Sequence, residues 1–343
     1  MIPYLLLFAL TATLALKLRT QLSVPLFVLV TLMIGLRHDI GGDWLQYIYI
    51  FERHSEETLA EWLSNSEPGY ALVNGLSHEL GWSFYGVNFL CALIFTYGLW
   101  QFCKAQPLPA LALTVAVPYL VIVVAMGYTR QGVAIGLGML ALLALEREQW
   151  LRFAAYVLLA ATFHKTAVVL FGLALALTSG GWWWRLPLMG VVALVAYQSI
   201  LASSVDNYLL NYEQAGYQSQ GAAIRVAMTA LPAVLFLLWQ NRLQLTDVRR
   251  RLWRLLSYIS LFMVLVLVLA NSSTAVDRIA LYLIPLQLFV WSRLPLRNNR
   301  LSRVWVNYVV LYSLSVLLVW LLFAGHAFAW LPYQFYPLFW LFD

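Results

Sequence analysis

Apolar runs of about 16 to 22 residues recur along this chain, and they constrain its fold more than any other feature. Roughly 20 such residues are what an α-helix needs to cross about 30 Å of hydrocarbon. The runs are continuous, without the period-two alternation of a membrane barrel, so the spanning elements are helices. With 62% of residues hydrophobic and 10% charged, a soluble domain is excluded. The expected fold is an all-α, polytopic integral membrane protein, with one membrane domain over residues 1–343.

We place spans near 2–16, 21–36, 84–102, 108–126, 130–145, 151–163, 166–178, 186–204, 223–241, 255–271, 279–292 and 304–325, with 151–163 and 166–178 unusually short. Met1 to Leu16 has no basic residue ahead of it, whereas Lys17 and Arg19 follow. A cleaved leader would carry its positive charge first, so a membrane helix with an outward N-terminus is expected. In that orientation 15 of the 21 Lys and Arg fall on inner segments, as the positive-inside rule requires. Outside lie only Arg37, Arg53, Arg130, Lys165, Arg225 and Arg278. The net charge of +6 is thus a topology signal, and basic stretches such as "DVRRRLWR" face anionic lipid and not nucleic acid. Twelve of the 15 acids lie outside, although acids contribute little to orientation, so those carboxylates need another reason. Cys91 and Cys103 stand roughly 18 Å apart along one helix and cannot pair.

The longest segment between spans, 37–83, is an outer loop. Its stretch "DWLQYIYIFERHSEETLAEWL" predicts one or two amphipathic helices, with Trp44, Tyr47, Ile48, Phe51, Leu59, Trp62 and Leu63 on apolar faces, capping an outer cavity. The tail, 326–343, crowds eight aromatics into fifteen residues and is expected to lie at the headgroup layer.

Four outer arginines stand at or near predicted helix ends: Arg37 after the second span, Arg130 opening the fifth with Gln131, Arg225 in the ninth, and Arg278 after Asp277 ahead of the eleventh. An ion at mid-bilayer costs about 2.5–3.5 kcal/mol on insertion scales, so such groups usually face a wet cavity. One helix-end arginine reaching for lipid phosphate is commonplace. Four on the side poor in cations point to a shared site. In "LLAATFHKTAVVLF", the two short spans form either a hairpin with His164-Lys165 at its tip or one long helix with that pair near its middle. Either way a His and a Lys lie at depth. Glu67-Pro68-Gly69-Tyr70 opens a helix, and Glu67 serves there either as a cap or in the site. In "RHDIGGD", Gly41-Gly42 turns the backbone and carries Asp39 and Asp43 over the cavity mouth. Gly132, Gly136 and Gly138 form a small-residue packing face. The sequence has no metal or nucleotide motif, so neither metal nor cofactor is expected.

The ordered set Arg37…Gly42-Asp43…Tyr47, Glu67-Pro68-Gly69-Tyr70, Arg130-Gln131, Phe163-His164-Lys165-Thr166 and Asp277-Arg278…Tyr282 resembles the EpsG-type exopolysaccharide polymerases, relatives of the Wzy-type O-antigen polymerases. The resemblance runs over nearly the whole chain. It implies a bacterial inner-membrane glycosyltransferase that joins oligosaccharide units carried on undecaprenyl diphosphate at the periplasmic face. It also implies a flippase and a chain-length regulator as functional partners.

That chemistry suits the ionic residues. Arginine makes paired, charge-assisted bonds to phosphate and can neutralise a departing diphosphate. The attacking sugar hydroxyl needs a base, with Asp43, Asp39, His38, Glu67 and His164 as candidates and Asp43 or His164 preferred. Arg130, Arg278 and Arg225 are expected around the diphosphate, and Arg37 either there or paired to Asp43. Tyr47, Tyr70 and Tyr282 would offer faces for sugar stacking, and Lys165 and Asp277 complete the candidate binding set. Two other classes fit buried ions: a flippase for the same lipid-linked glycan, and a membrane acyltransferase acting on surface sugars.

Overall fold

The computed structural model describes residues 1–339 apart from 56, 65–66, 178–220, 270–272 and 300. The expected span 186–204, with Arg185 ahead of it, lies outside the described residues.

Two apolar helices open the chain, α1 (Ile2–Leu16) and α2 (Val24–Gly35), each with proline in its first turn, where a missing N–H costs nothing. A two-residue strand β1 (Arg37–His38) follows, then three short helices over that end of the bundle: α3 (Trp44–Ser55), α4 (Leu59–Ser64) and α5 (Pro68–Glu79). Next come α6 (Ser83–Lys104), α7 (Pro109–Ala116) running into a π-helical stretch at Val117–Ala125, α8 (Thr129–Glu146) and α9 (Trp150–Phe163). A 3₁₀ segment, Lys165–Leu170, leads into α10 (Phe171–Leu177). Beyond the undescribed stretch are α11 (Ala222–Trp239), α12 (Asp247–Leu269), α13 (Ser273–Ala280), α14 (Pro285–Arg293) and α15 (Arg303–Phe323). A 3₁₀ turn at Ala327–Trp330, strand β2 (Gln334–Phe335) and α16 (Tyr336–Phe339) close the described chain.

Among the described residues, six helical segments are long and apolar enough to cross a membrane, and five shorter apolar ones of 10–17 residues accompany them. The molecule is a multi-pass helical membrane protein. Its layers follow from which helices carry apolar residues all round. α8 is buried along every residue from Gln131 to Leu145, so it forms the centre. α12 and α15 expose Val268, Leu269, Leu322 and Phe323, as surfaces solvated by lipid do. α6 and α8 cross at Gly98 and Gly136, where a Cβ on Gly98 would stand 2.1 Å from the Gly136 carbonyl oxygen. The small-residue face is therefore a backbone contact.

One end of the bundle is locked by ions. Glu146 takes Arg249 at 2.8 Å and the indole N–H of Trp253 at 2.6 Å, while Trp253 stacks on Phe289 at 3.9 Å. Buried Arg293 donates to Gln106 and lies over the Phe289 ring. Within "DVRRRLWR", then, Arg249 and Trp253 hold helices together as well as carrying charge and ring.

At the opposite end the amphipathic stretch is helical, though not with the expected face throughout. Trp44, Tyr47 and Trp62 are buried, whereas Leu59 and Leu63 are exposed. Trp62 fills the space over Gly75 and donates to the His54 carbonyl, so it is the residue by which α4 docks.

The aromatic tail also departs from expectation, since most of it docks instead of lying apart at the interface. β2 pairs antiparallel with β1, Arg37 opposite Phe335 and His38 opposite Gln334. Trp330 is buried and donates to the Ile122 carbonyl, its own carbonyl accepts from the Tyr4 hydroxyl, and Tyr333 donates to the Met33 carbonyl. Aromatic rings with polar tips settle where body and tip are both satisfied, and this end of the bundle offers carbonyls that α2 and the π-helical stretch leave open.

Candidate active site

Four remote parts of the chain deliver ionic side chains to one place. The first is the turn after β1. Gly41 adopts φ +107°, and a Cβ there would press on the Met126 carbonyl and Gly127, so this position requires glycine. Gly42 has open space around it and no such need. The turn sets Asp43 just before α3, half-buried, with the charges of Arg130 and Arg278 facing it. Burial pushes the Asp43 carboxyl above its ordinary pKa, and the two arginines pull it partly back. No hydrogen bond or ion pair with a described residue engages this carboxylate.

Arg130, in the first turn of α8, is the centre of the second part. Its guanidinium bonds the Glu67 carboxylate at 2.6 Å and lies over the rings of Tyr47 and Tyr70, 5.6 and 5.7 Å from their centroids. Glu67 precedes α5 but makes no side-chain cap, so the ion pair and not capping accounts for it. Gly69 allows the start of α5 to touch Thr162 of α9, where any Cβ would come within 2.3 Å of the threonine hydroxyl.

His164 supplies the third part. It is extended (φ −152°, ψ 109°), ends α9 and starts the 3₁₀ segment, so the chain breaks at this residue and no single long helix forms. Its Nδ1 accepts from the Thr166 backbone N–H and stands 2.9 Å from the Thr166 hydroxyl, which in turn meets the Tyr282 hydroxyl at 3.2 Å. With Nδ1 occupied as acceptor, the neutral ring carries its proton on Nε2 and presents a donor. Arg130, Arg278 and Lys165 are the charges around it.

Arg278, on α13, is the fourth. Its backbone carbonyl accepts from Gln131, tying α13 to the start of α8, while its guanidinium is exposed and bonded to no described residue. The side chain of Asp277 lies outside the described residues.

Other candidates stand elsewhere. Arg37, expected at the diphosphate or on Asp43, is buried and bonds the Ile34 carbonyl at 2.6 Å and the Thr129 hydroxyl at 2.8 Å. Covered by the docked tail, it joins the end of α2 to the start of α8 instead of facing substrate. His38 bonds and stacks on Tyr85, which also stacks on Tyr336 at 3.6 Å, and Asp39 is exposed beside them. Tyr47, Tyr70 and Tyr282 are buried, so none presents a ring face for sugar stacking. The first two hold Arg130, and the third holds Thr166. Arg225 lines a separate cavity of about 550 Å³, behind Tyr128. Thr129 was not singled out from sequence and Thr166 entered only as the last residue of the Phe163–Thr166 motif, since a neutral hydroxyl in an apolar chain gives no signal of its own.

The family model that matches this arrangement is EpsG, over residues 22–335. The chain belongs to the EpsG family. Its match spans the Asp43 turn, Glu67, Arg130, His164 and Arg278 alike, and extends through the docked tail to Phe335. EpsG membership makes this a membrane protein of the polysaccharide-polymerase type. No curated protein and no solved structure matches the chain.

Proposed function

We propose that this EpsG protein lengthens a glycan by transferring it from a lipid diphosphate to a hydroxyl of an incoming lipid-linked oligosaccharide, on the extracytoplasmic side of a bacterial inner membrane. The observation that carries this reading is a carboxylate without a described partner, Asp43, facing two arginines from distant parts of the chain that also face His164. Asp43 takes the proton from the attacking hydroxyl as its oxygen bonds the anomeric carbon of the donor. The bond from that carbon to the diphosphate oxygen breaks, and the electron pair leaves on the diphosphate. Arg278, exposed and without a described partner, and Arg130, steadied by Glu67 and two rings, stabilise that charge. His164 donates from Nε2 to a substrate oxygen, with Thr166 and Tyr282 fixing its ring.

Reconstituted in liposomes with an undecaprenyl-diphosphate-linked oligosaccharide, the wild type should give a ladder of multimers. Asp43→Asn and Arg130→Ala should abolish the ladder while the protein still inserts, a loss of at least about 10²-fold for the base alone. Movement of the substrate between leaflets without lengthening would replace this reading with transport.

A further inference from the structure

The docked tail touches both backbone turns that carry the Asp43 cluster. Ala329 accepts the Gly41 N–H at 2.8 Å, two residues before Asp43. Trp330, the next residue, presses its ring on Gly127, three residues before Arg130, so closely that a Cβ at Gly127 would lie 2.3 Å from it. The two turns also meet each other. A Cβ on Gly41 would stand 3.0 Å from the Met126 carbonyl oxygen and 3.1 Å from the Gly127 Cα. Gly127 thus has the Gly41 turn against its backbone and the indole where its own side chain would be.

Trp330 is itself fixed at three points. Its indole N–H donates to the Ile122 carbonyl at 2.8 Å, in the π-helical stretch that leads to Gly127. Its carbonyl accepts from the Tyr4 hydroxyl at 2.9 Å, and Trp320 meets its ring edge-on at 5.1 Å. The tail also has anchors away from both turns, where Tyr333 donates to the Met33 carbonyl and the Tyr336 N–H to the Leu36 carbonyl. A buried interior is packed as densely as an organic crystal, so a ring held this firmly passes its position to the backbone that leans on it. We propose that Trp330 is a positioning residue of the active site: wedged against Gly127, it sets the separation of Arg130 from Asp43. Its effect on rate rests on the polymerase reading; its effect on the two turns does not.

The test uses full-length protein. In nanodiscs, Trp330→Leu should raise deuterium uptake in peptides covering 39–43 and 126–131, while Tyr333→Phe, which removes only the bond to Met33, should leave both unchanged. In the liposome ladder assay Trp330→Leu should lower kcat at least about tenfold with KM unchanged, because a displacement of about 1 Å suffices for such a loss and the buried ring itself binds no substrate. Trp330→Phe, which keeps a ring against Gly127, should recover most of the rate. Arg130, Arg278 and the Tyr47 hydroxyl face Asp43. With Arg130 drawn away, its pull on the carboxyl weakens, so Trp330→Leu should also move the acid limb to higher pH. Gly127→Ala tests the same contact from the other side and stands in should Trp330→Leu not fold. Its methyl group meets the ring and should lower kcat alike. Together the two changes should cost less than the roughly hundredfold that two independent tenfold losses would give, since the methyl group enters space the indole vacates. Unchanged uptake in both peptides, an equal rise in Tyr333→Phe, or a double variant at the product of the single losses overturns the proposal. The two readings fail separately. A wild type without any ladder sinks the polymerase and leaves the uptake result standing, whereas an undiminished ladder from Trp330→Leu sinks the positioning role and leaves the polymerase.

Discussion

Asp43 is where the proposed chemistry turns, and its surroundings set a pH dependence. A base must be deprotonated, so the rate rises with pH through its pKa. Because burial raises that pKa, the acid limb of the ladder-forming rate should lie above the ordinary aspartate value of about 4. Arg278 lowers it, so Arg278→Gln should slow the reaction and also move the limb to higher pH, read from initial rates across pH 4–8. A limb that stays in place would remove Asp43 as the base. The residues of this cluster were legible in the sequence for an energetic reason. In so apolar a chain each ion is costly, so Asp43, Glu67, Arg130, His164 and Arg278 stand out, and the structure brings these together. Partnership was less legible. Arg37 carries the same charge as Arg130, yet Thr129 and a backbone carbonyl claim it, and neither leaves a mark in composition. The tyrosines were misread because an aromatic ring serves equally as a stacking surface or as packing for a guanidinium.

At the scale of elements, length was the informative signal. The shortness of 151–163 and 166–178 left two outcomes, a break at His164 or one long helix, and the extended backbone there decides for the break. Helix crossings left a fainter trace, because glycine spacing marks one partner and not the other. Gly136 was recognisable as packing, but its contact with Gly98 of α6 was not. Three glycine substitutions test these close approaches and turns. Gly98→Val should pry α6 from α8 and prevent recovery of monodisperse protein in detergent, since 2.1 Å leaves no room for a methyl group. Gly41→Ala should destabilise the Asp43 turn by about 1–3 kcal/mol, while Gly42→Ala should be near neutral, compared by thermal unfolding of the purified protein. Equal effects at 41 and 42 would show that the turn does not depend on the left-handed conformation.

Over the whole molecule, ions are sorted to the two ends for different work: Glu146, Arg249 and Arg293 bind helices at one, and the Asp43 cluster gathers the proposed chemistry at the other. The proposed orientation places the cluster outside. Ser64→Cys should then react with an impermeant thiol reagent added to intact spheroplasts, and Asp247→Cys should not. The native Cys91 and Cys103 are buried and should give no background. The reverse pattern would invert the molecule and put the chemistry on the cytoplasmic side. Charge asymmetry is what that proposed orientation rests on, whereas the pairing of β1 with β2 spans nearly 300 positions, beyond any local pattern. That pairing has a consequence for biogenesis. Arg37 leaves the ribosome nearly 300 residues before the backbone that covers it, from Ala329 to Tyr336. A nascent chain therefore carries that guanidinium without its cover while every helix between them is made, and this end of the bundle is sealed only when residues 329–336 fold back onto it.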